Sequence, residues 1–284
     1  MTNPLIVRRD AFAARCPEER VRLNGRDWGV IEAGDAGPVL VLIPGTLGRA
    51  DIFWQQIEAL EDRARLLVPT YPVTGGIAEW SADLLALFDQ RGISRARLLG
   101  TSLGGYLAQY FASVHPERVE TLLPANTMVA TEASRARIPA AFDLDHGPVA
   151  ELRATFHTRL EAWRTAHPDQ SDLVDLLLGE VDGRIPEAEL RTRLRALMDP
   201  PPLGPVTIPP ERVATIESAD DPRISEDRRN GVRARHAPAT VYRFLWGGHF
   251  PYVVRPEAYT GLLETELGLS LTGAPWPGGP IREA

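Results

Sequence analysis

The sequence predicts an α/β fold: a mostly parallel central sheet flanked by helices, with a helical segment inserted after the sixth strand. Three observations carry this. Short apolar runs alternate with amphipathic stretches of helical period from Val39 to Leu123, and again from Val213 to Leu267. That alternation is the signature of strands joined by right-handed helical crossovers. The run Val39-Leu40-Val41-Leu42-Ile43 is apolar at every position, as a strand covered on both faces must be. Finally, Leu98 to Gln109 reads as strand, sharp turn and helix, with Gly100-Thr101-Ser102-Leu103-Gly104 at the turn.

Residues 1 to 19 carry weak signals and are expected to form a loose or helical lead-in. Val21-Arg22-Leu23, Asn24-Gly25 and Trp28 to Ile31 read as a hairpin, because Asn and Gly accept the positive φ angles of a two-residue turn. After the Val39–Ile43 strand, Pro44-Gly45-Thr46-Leu47-Gly48 forms a loop. Asp51 to Leu60 is expected to be a helix with Ile52, Phe53, Ile57 and Leu60 on one side. Leu66-Leu67-Val68 is the next buried strand, and Tyr71 to Gly76 the loop at its end. Glu79 to Gln90 is a second helix with Leu84, Leu85, Leu87 and Phe88 inward. Arg97 to Gly100 is a strand, and the helix after Ser102 runs to about His115, stopped by Pro116, with Leu107, Phe111 and Val114 on its inner face. Val119 to Leu123 is a further strand, ending in Pro124-Ala125-Asn126.

Residues 129–208 differ in character. They are rich in Ala, Leu, Arg and Glu, with helical periodicity over Val149–Thr165, Ser171–Leu178 and Pro186–Met198, and return through the proline-rich stretch Asp199–Pro205. This segment is read as a cap over the carboxyl ends of the strands. Asp143, Asp145, His146, His157 and His167 fall in it without metal-ligand spacing, so surface or capping roles are expected for them. The core resumes with Val213–Glu217 as a strand, a helix from Ser225 to Arg235, Thr240–Trp246 as the last strand, and a closing helix Pro256–Leu267. The basic run Arg223 to Arg235 is interspersed with Glu226 and Asp227 and reads as a solvated helix face. The expected organisation is therefore 1–128 core, 129–208 cap, 209–268 core, and a mobile tail over 269–284, where Pro275, Pro277, Gly278, Gly279 and Pro280 leave little to bury.

Composition narrows the function. The chain has 284 residues, 44% hydrophobic and 24% charged, with formal net charge −7. These values suit a globular protein and give no support to a nucleic-acid partner. Cys16 is the single cysteine, so neither an intrachain disulfide nor a cysteine metal site is expected. No 18-residue apolar run and no apolar leader segment stand out, so no membrane span and a cytoplasmic location are expected.

The chemistry is suggested by three positions. A serine hydroxyl is a weak nucleophile until a base removes its proton, and imidazole suits that task near neutral pH. A carboxylate then fixes the imidazole tautomer. Ser102, Asp220 or Asp221, and His249 each follow a predicted strand at its carboxyl end, where open parallel sheets hold their ligands.

On these residues the chain resembles the α/β-hydrolase fold superfamily, and within it the maspardin-like group. The stretches that carry the resemblance are Pro44 to Phe53, Tyr71-Pro72-Val73, Gly100 to Gln109 and Gly247 to Tyr252. It spans about Trp28 to Leu267 and is weakest in the cap. It implies a nucleophile elbow at Ser102 and the chain order nucleophile, acid, base. Relatives commonly show Gly-x-x-Asp at the acid; Ser218 takes the glycine's place, which points to Asp221, with Asp220 as the alternative. The resemblance also implies an oxyanion hole from the backbone N–H groups of Thr46 and Leu103. Many relatives have His-Gly where this chain has Pro44-Gly45, but the donors are amides and survive the change. The function so implied is a cofactor-independent serine hydrolase of carboxylesterase type. It would cleave a small-molecule ester, with amide or lactone as variants of the same chemistry, and without a metal. The alternative is a non-catalytic binding or scaffold protein, the role in which maspardin-like proteins are regarded; they carry another residue at the base position, where this chain has His249. Tyr71, Trp80, Phe250 and Tyr252 are candidates to line the substrate pocket, with core packing as the competing reading. Monomer and homodimer both remain open.

Overall fold

The computed structural model describes residues 2–129 and 143–284. Among these residues the strands β1 (Glu19–Leu23), β2 (Arg26–Ala33), β3 (Val39–Ile43), β4 (Arg65–Thr70), β5 (Ala96–Thr101), β6 (Val119–Ala125), β7 (Ala214–Ser218), β8 (Thr240–Phe244) and β9 (Ile281–Glu283) form one sheet in the order 1-2-4-3-5-6-7-8-9. β1 and β2 pair antiparallel, as do β2 and β4; the remaining pairs are parallel. The β1–β2 hairpin turns at Asn24 and Gly25, with φ of 46° and 85°, the left-handed pair that such a turn demands.

Strand alternation divides the core into two layers. Leu40 and Leu42 of β3 join Leu66, Val68, Leu99 and Leu123 on one face, under helices α2 (Trp54–Leu60), α9 (Pro251–Val254) and α10 (Pro256–Leu267). Val41 and Ile43 join Leu67, Leu98 and Leu122 on the other, under α3 (Ile77–Gln90) and α4 (Leu103–Val114). An uninterrupted apolar strand is thus consumed on both sides. The lead-in forms α1 (Pro4–Arg15), started by Asn3, whose side chain accepts the N–H groups of Leu5 and Ile6. Between β6 and β7 lie α5 (Val149–Ala166), α6 (Ser171–Gly179) and α7 (Glu187–Met198). Their apolar faces, including Leu152, Phe156, Leu173 and Leu190, continue the first layer. A buried ion cluster reinforces the join: Arg9 of α1 reaches Glu180, and Arg184 reaches both Glu180 and Asp51. Among the described residues no helix is long and apolar enough to cross a membrane.

Several expectations need correction. The stretch Asp51–Leu60 opens with a tighter helical turn, Ala50–Phe53, before α2. Val114, in the last turn of α4, is exposed and takes no part in the inner face. The strand read as Thr240–Trp246 stops at Phe244; Leu245 and Trp246 face outward, and the Trp246 ring carries the Arg255 guanidinium at 4.3 Å. The 269–284 tail is not left loose. Thr272 and Gly273 donate their N–H groups to the buried Glu264 carboxylate, and Trp276 donates to Ala258 O at 2.8 Å and packs edge-on against Phe244. The tail then adds β9 beside β8. The basic run is not a solvated face either. Its helix is α8 (Glu226–His236); Arg229 is buried and donates to Ile224 O, and Arg233 pairs with the buried Glu217. Of the polar residues in the segment between β6 and β7, His146 bonds Asp143, His157 bonds Asp182, and His167 stacks on Trp163.

Two stability predictions arise here. A Cβ at Gly100 would lie 2.0 Å from Gly104 O, so β5 and α4 can meet only without a side chain there. Gly100→Ala is expected to cost about 3 kcal/mol or more, read as a lowered urea midpoint at unchanged slope. His236 lies buried at the end of α8 with Nε2 on Gln109 Oε1. Burial, then neighbouring Arg235, pushes its imidazole down to about 4. The unfolded chain therefore binds a proton first as the pH drops, and stability is lost from about pH 6.5 downward through pH 4, by roughly 3 kcal/mol in all. Urea titrations at intervals across this window should show that loss, and His236→Gln should flatten it.

Candidate active site

The turn after β5 places Ser102 at φ 53° and ψ −115°, a sparsely populated region for a residue with a side chain. Three hydrogen bonds hold it there: Ser102 N–H to Ala125 O, and Tyr106 N–H and Thr127 Oγ1 to Ser102 O. Thr46 sits on the loop after β3. A Cβ at the preceding Gly45 would lie 3.2 Å from Ser102 Cβ, so glycine lets this loop close on the serine. Leu103 opens α4, and the first N–H groups of a helix have no partner within it. Their dipole favours negative charge at this end.

The loops after β7 and β8 bring the acid and the imidazole together. Asp221 is buried and works with both oxygens. Oδ1 accepts the N–H groups of Arg223 and Ile224 at 2.8 and 3.1 Å; Oδ2 lies 2.8 Å from His249 Nδ1 and 3.0 Å from Asn126 Nδ2. Burial alone would raise this carboxyl; the His249 ring and the donated hydrogen bonds outweigh it and hold it below the ordinary carboxylate range. An ionised carboxylate only accepts, so the His249 proton sits on Nδ1 and Nε2 is left as acceptor. Asp220 has a different position: its carboxylate accepts the N–H groups of Gly247 and Gly248 at 3.1 and 2.9 Å, tying down the loop that carries His249.

Ser102 and His249 line one cavity of about 110 Å³. Phe250 and Tyr252 line it with them, while Leu152, Phe156 and Leu194 close it from the inserted helices. Tyr71 and Trp80 are not in its wall. Both are fully buried, with ring centres 4.6 Å apart, behind the loop after β3. Tyr71 supports that loop from beneath, donating its hydroxyl to Pro44 O at 2.8 Å. Two contributors escaped the sequence reading. Asn126, at φ 42°, stands at the end of β6 and donates to the Asp221 carboxylate; its place at a strand end was the available signal. Arg193 of α7 is fully buried, donates to Thr46 O and Gly48 O at 3.0 and 2.8 Å, and sits 5.1 Å over the Tyr71 ring. On an Arg-rich helix, nothing in the sequence separates it from Arg191 or Arg195.

The model of the alpha/beta hydrolase fold family matches residues 38–193, more than half of the chain. Zebrafish (Danio rerio) maspardin is 26% identical over 253 residues, covering 86% of this chain and 80% of that one. The putative carbamate hydrolase RutD of a Caulobacter strain is 26% identical over 240 residues, covering 77% of this chain and 87% of its own. A hydrolase from Pseudomonas aeruginosa superposes with a TM-score of 0.73 at 23% identity, covering 89% of this chain and 98% of that structure. An enol-lactonase from Burkholderia xenovorans superposes at 0.69 with 17% identity, covering 88% and 100%. These structural likenesses show the fold.

Proposed function

The chain belongs to the alpha/beta hydrolase fold family, and from that premise we propose that it is a serine hydrolase acting on a carboxylic ester through an acyl-enzyme. The observation that carries this reading is the 2.8 Å contact from Asp221 Oδ2 to His249 Nδ1, with His249 and Ser102 on the wall of one cavity. Ser102 Oγ attacks the carbonyl carbon while His249 Nε2 takes its proton, and the carbonyl electrons move onto oxygen. The N–H groups of Thr46 and Leu103 receive that oxyanion, at roughly 3–4 kcal/mol per donor. Collapse breaks the ester C–O bond; the alcohol leaves with the proton from His249, and the acyl group stays on Ser102. Water then attacks, again giving its proton to His249, and the acid departs as Ser102 is restored. Asp221 keeps the Nδ1 proton in place and stabilises the imidazolium. Asn126 and the Arg223 N–H group orient Asp221 and are positioning groups.

Rapid mixing with a p-nitrophenyl ester tests this. A burst of nitrophenolate stoichiometric with protein, followed by slower turnover, is expected, and Ser102→Ala should remove both. The similarity to maspardin favours the rival reading, a binding protein that keeps the fold. Absence of burst and turnover across a graded series of ester lengths would select that rival.

A further inference from the structure

We propose that the substrate is an ester of a bulky, apolar, ring-bearing alcohol with a small acyl group, and that the alcohol occupies a second cavity beside His249. The proposal rests on the hydrolase reading for the bond that is cut, while the cavity stands on its own observations. The second cavity, of about 510 Å³, shares Arg159, Arg223, His249 and Phe250 with the one at Ser102. Gly45, Thr46 and Ser102 line only the first. In the proposed mechanism the acyl carbon is bonded to Ser102 with its oxygen at the Thr46 loop, so the acyl chain belongs to the first cavity. The leaving oxygen takes its proton from His249 Nε2 as the C–O bond breaks. The group on that oxygen therefore lies on the His249 side. The space bordered by His249 but not by Ser102 is the second cavity.

Size divides the two parts of the substrate. An apolar cavity of about 150 Å³ holds one benzene ring, and small-molecule sites run from about 300 to 1,000 Å³. The first cavity, about 110 Å³, takes an acyl chain of a few carbons, and the second, about 510 Å³, takes a ring system. Its wall suits such a group. Ala162, Trp163, Ala166 and His167 present one face of α5 to it, at helical spacing. Leu173 and Leu177, buried and four residues apart on α6, line it as well. Ala162 and Ala166 contribute only methyl groups, which leaves room for a ligand. The Trp163 indole N–H already donates to Gln170 Oε1 at 3.1 Å, and its ring stacks on His167 with centres 3.7 Å apart. With its polar atom satisfied, that ring offers a ligand apolar surface. A Cβ at Gly248 would lie 3.0 Å from Trp163 Cζ2, so the tryptophan reaches the loop that carries His249. Apolar area and ring–ring contact both favour an aromatic group here. The same group on the acyl side would have to fit the smaller cavity.

The test uses two isomers, 2-naphthylmethyl acetate and methyl 2-naphthylacetate, which contain the same atoms and carry the ring on opposite sides of the ester. The first is expected to show a kcat/KM about tenfold higher or more, carried mainly by KM. Ala162→Trp and Ala166→Trp put an indole into the second cavity from exposed helix positions, and each should bring the ratio toward one. Ala154→Trp, on the same helix and outside both linings, should leave it unchanged. In parallel, Ser102→Ala protein is titrated calorimetrically with 2-naphthylmethanol and with propanol. The naphthyl alcohol should bind more tightly, and adding Ala162→Trp should remove most of the difference. If the isomers are cleaved equally well, or the ring is preferred on the acyl side, or the preference survives both replacements, the alcohol assignment is wrong while the hydrolase reading stands. If neither isomer is cleaved while p-nitrophenyl acetate still gives its burst, the assignment is wrong too. If that burst is missing as well, the hydrolase reading has failed, and the titration alone decides whether the cavity takes an apolar ring.

Discussion

Fluorophosphonate labelling is expected at Ser102 and at no other serine. A serine hydroxyl attacks phosphorus only where a base takes its proton and donors receive the charge that builds on oxygen. In the mechanism proposed above, the strained turn at Ser102, the Thr46 loop drawn against it and His249, backed by Asp221, are to supply those requirements. Ser102→Ala is expected to lower ester turnover by about 10⁴–10⁶-fold, and His249→Asn by a comparable factor. Combining them should be scarcely worse than either alone, because the two act as one unit. Neither replacement should shift the urea midpoint much: Ser102 is held through its backbone, and His249 lies on a loop fixed by the Gly247 and Gly248 bonds to Asp220. Mass spectrometry of the labelled peptide reads the site. Labelling that persists undiminished in His249→Asn would sink the proposed mechanism.

Asp221→Asn is expected to reduce kcat by about 10⁴-fold with the fold intact. The new amide keeps an oxygen to accept the Arg223 and Ile224 N–H groups. It turns its NH₂ toward His249 Nδ1, which favours the opposite tautomer and places the proton on Nε2, where the base must be empty. It also sets two amide donors against each other, since Asn126 Nδ2 now points at that oxygen's site. The Asp221 carboxyl is held below its ordinary range, so it contributes stability above that range, lost as the pH falls through its lowered folded value. The variant should lack that acid-side loss. Asp220→Asn should behave differently. Its remaining oxygen still accepts from Gly247 or Gly248, one hydrogen bond is weakened, and the cost is about 1 kcal/mol with turnover within roughly tenfold. Reversed effects in the two variants would assign the acid to Asp220.

Much of this protein was legible one stretch at a time. Asn24-Gly25 specifies its turn because few residues accept two left-handed φ angles in succession. Val39–Ile43 specifies a central strand because only a strand buried on both faces can use five apolar residues in a row. Gly100, Ser102 and Gly104 mark the elbow because the strand–helix approach leaves no room for a Cβ at Gly100. In each case the constraint acts within a few residues, and the local sequence carries it whole.

The rest is decided between distant segments. Asp220 and Asp221 are adjacent, and strand spacing treats them alike; only the path of the loop turns one carboxylate to the glycine amides and the other to the imidazole. Tyr71 and Trp80 have the composition of pocket residues, yet the close approach of β2 and α3 seals them against Trp28. The tail looked unable to bury surface because its anchors, Glu264 and Ala258, lie on α10 and appear in no local pattern. Leu152 and Phe156 sit far from His249 in sequence and read there as one more apolar helix face. Folding α5 over the strand ends brings them to one wall with Ser102 and His249, because a cavity forms where surfaces meet and belongs to no single segment.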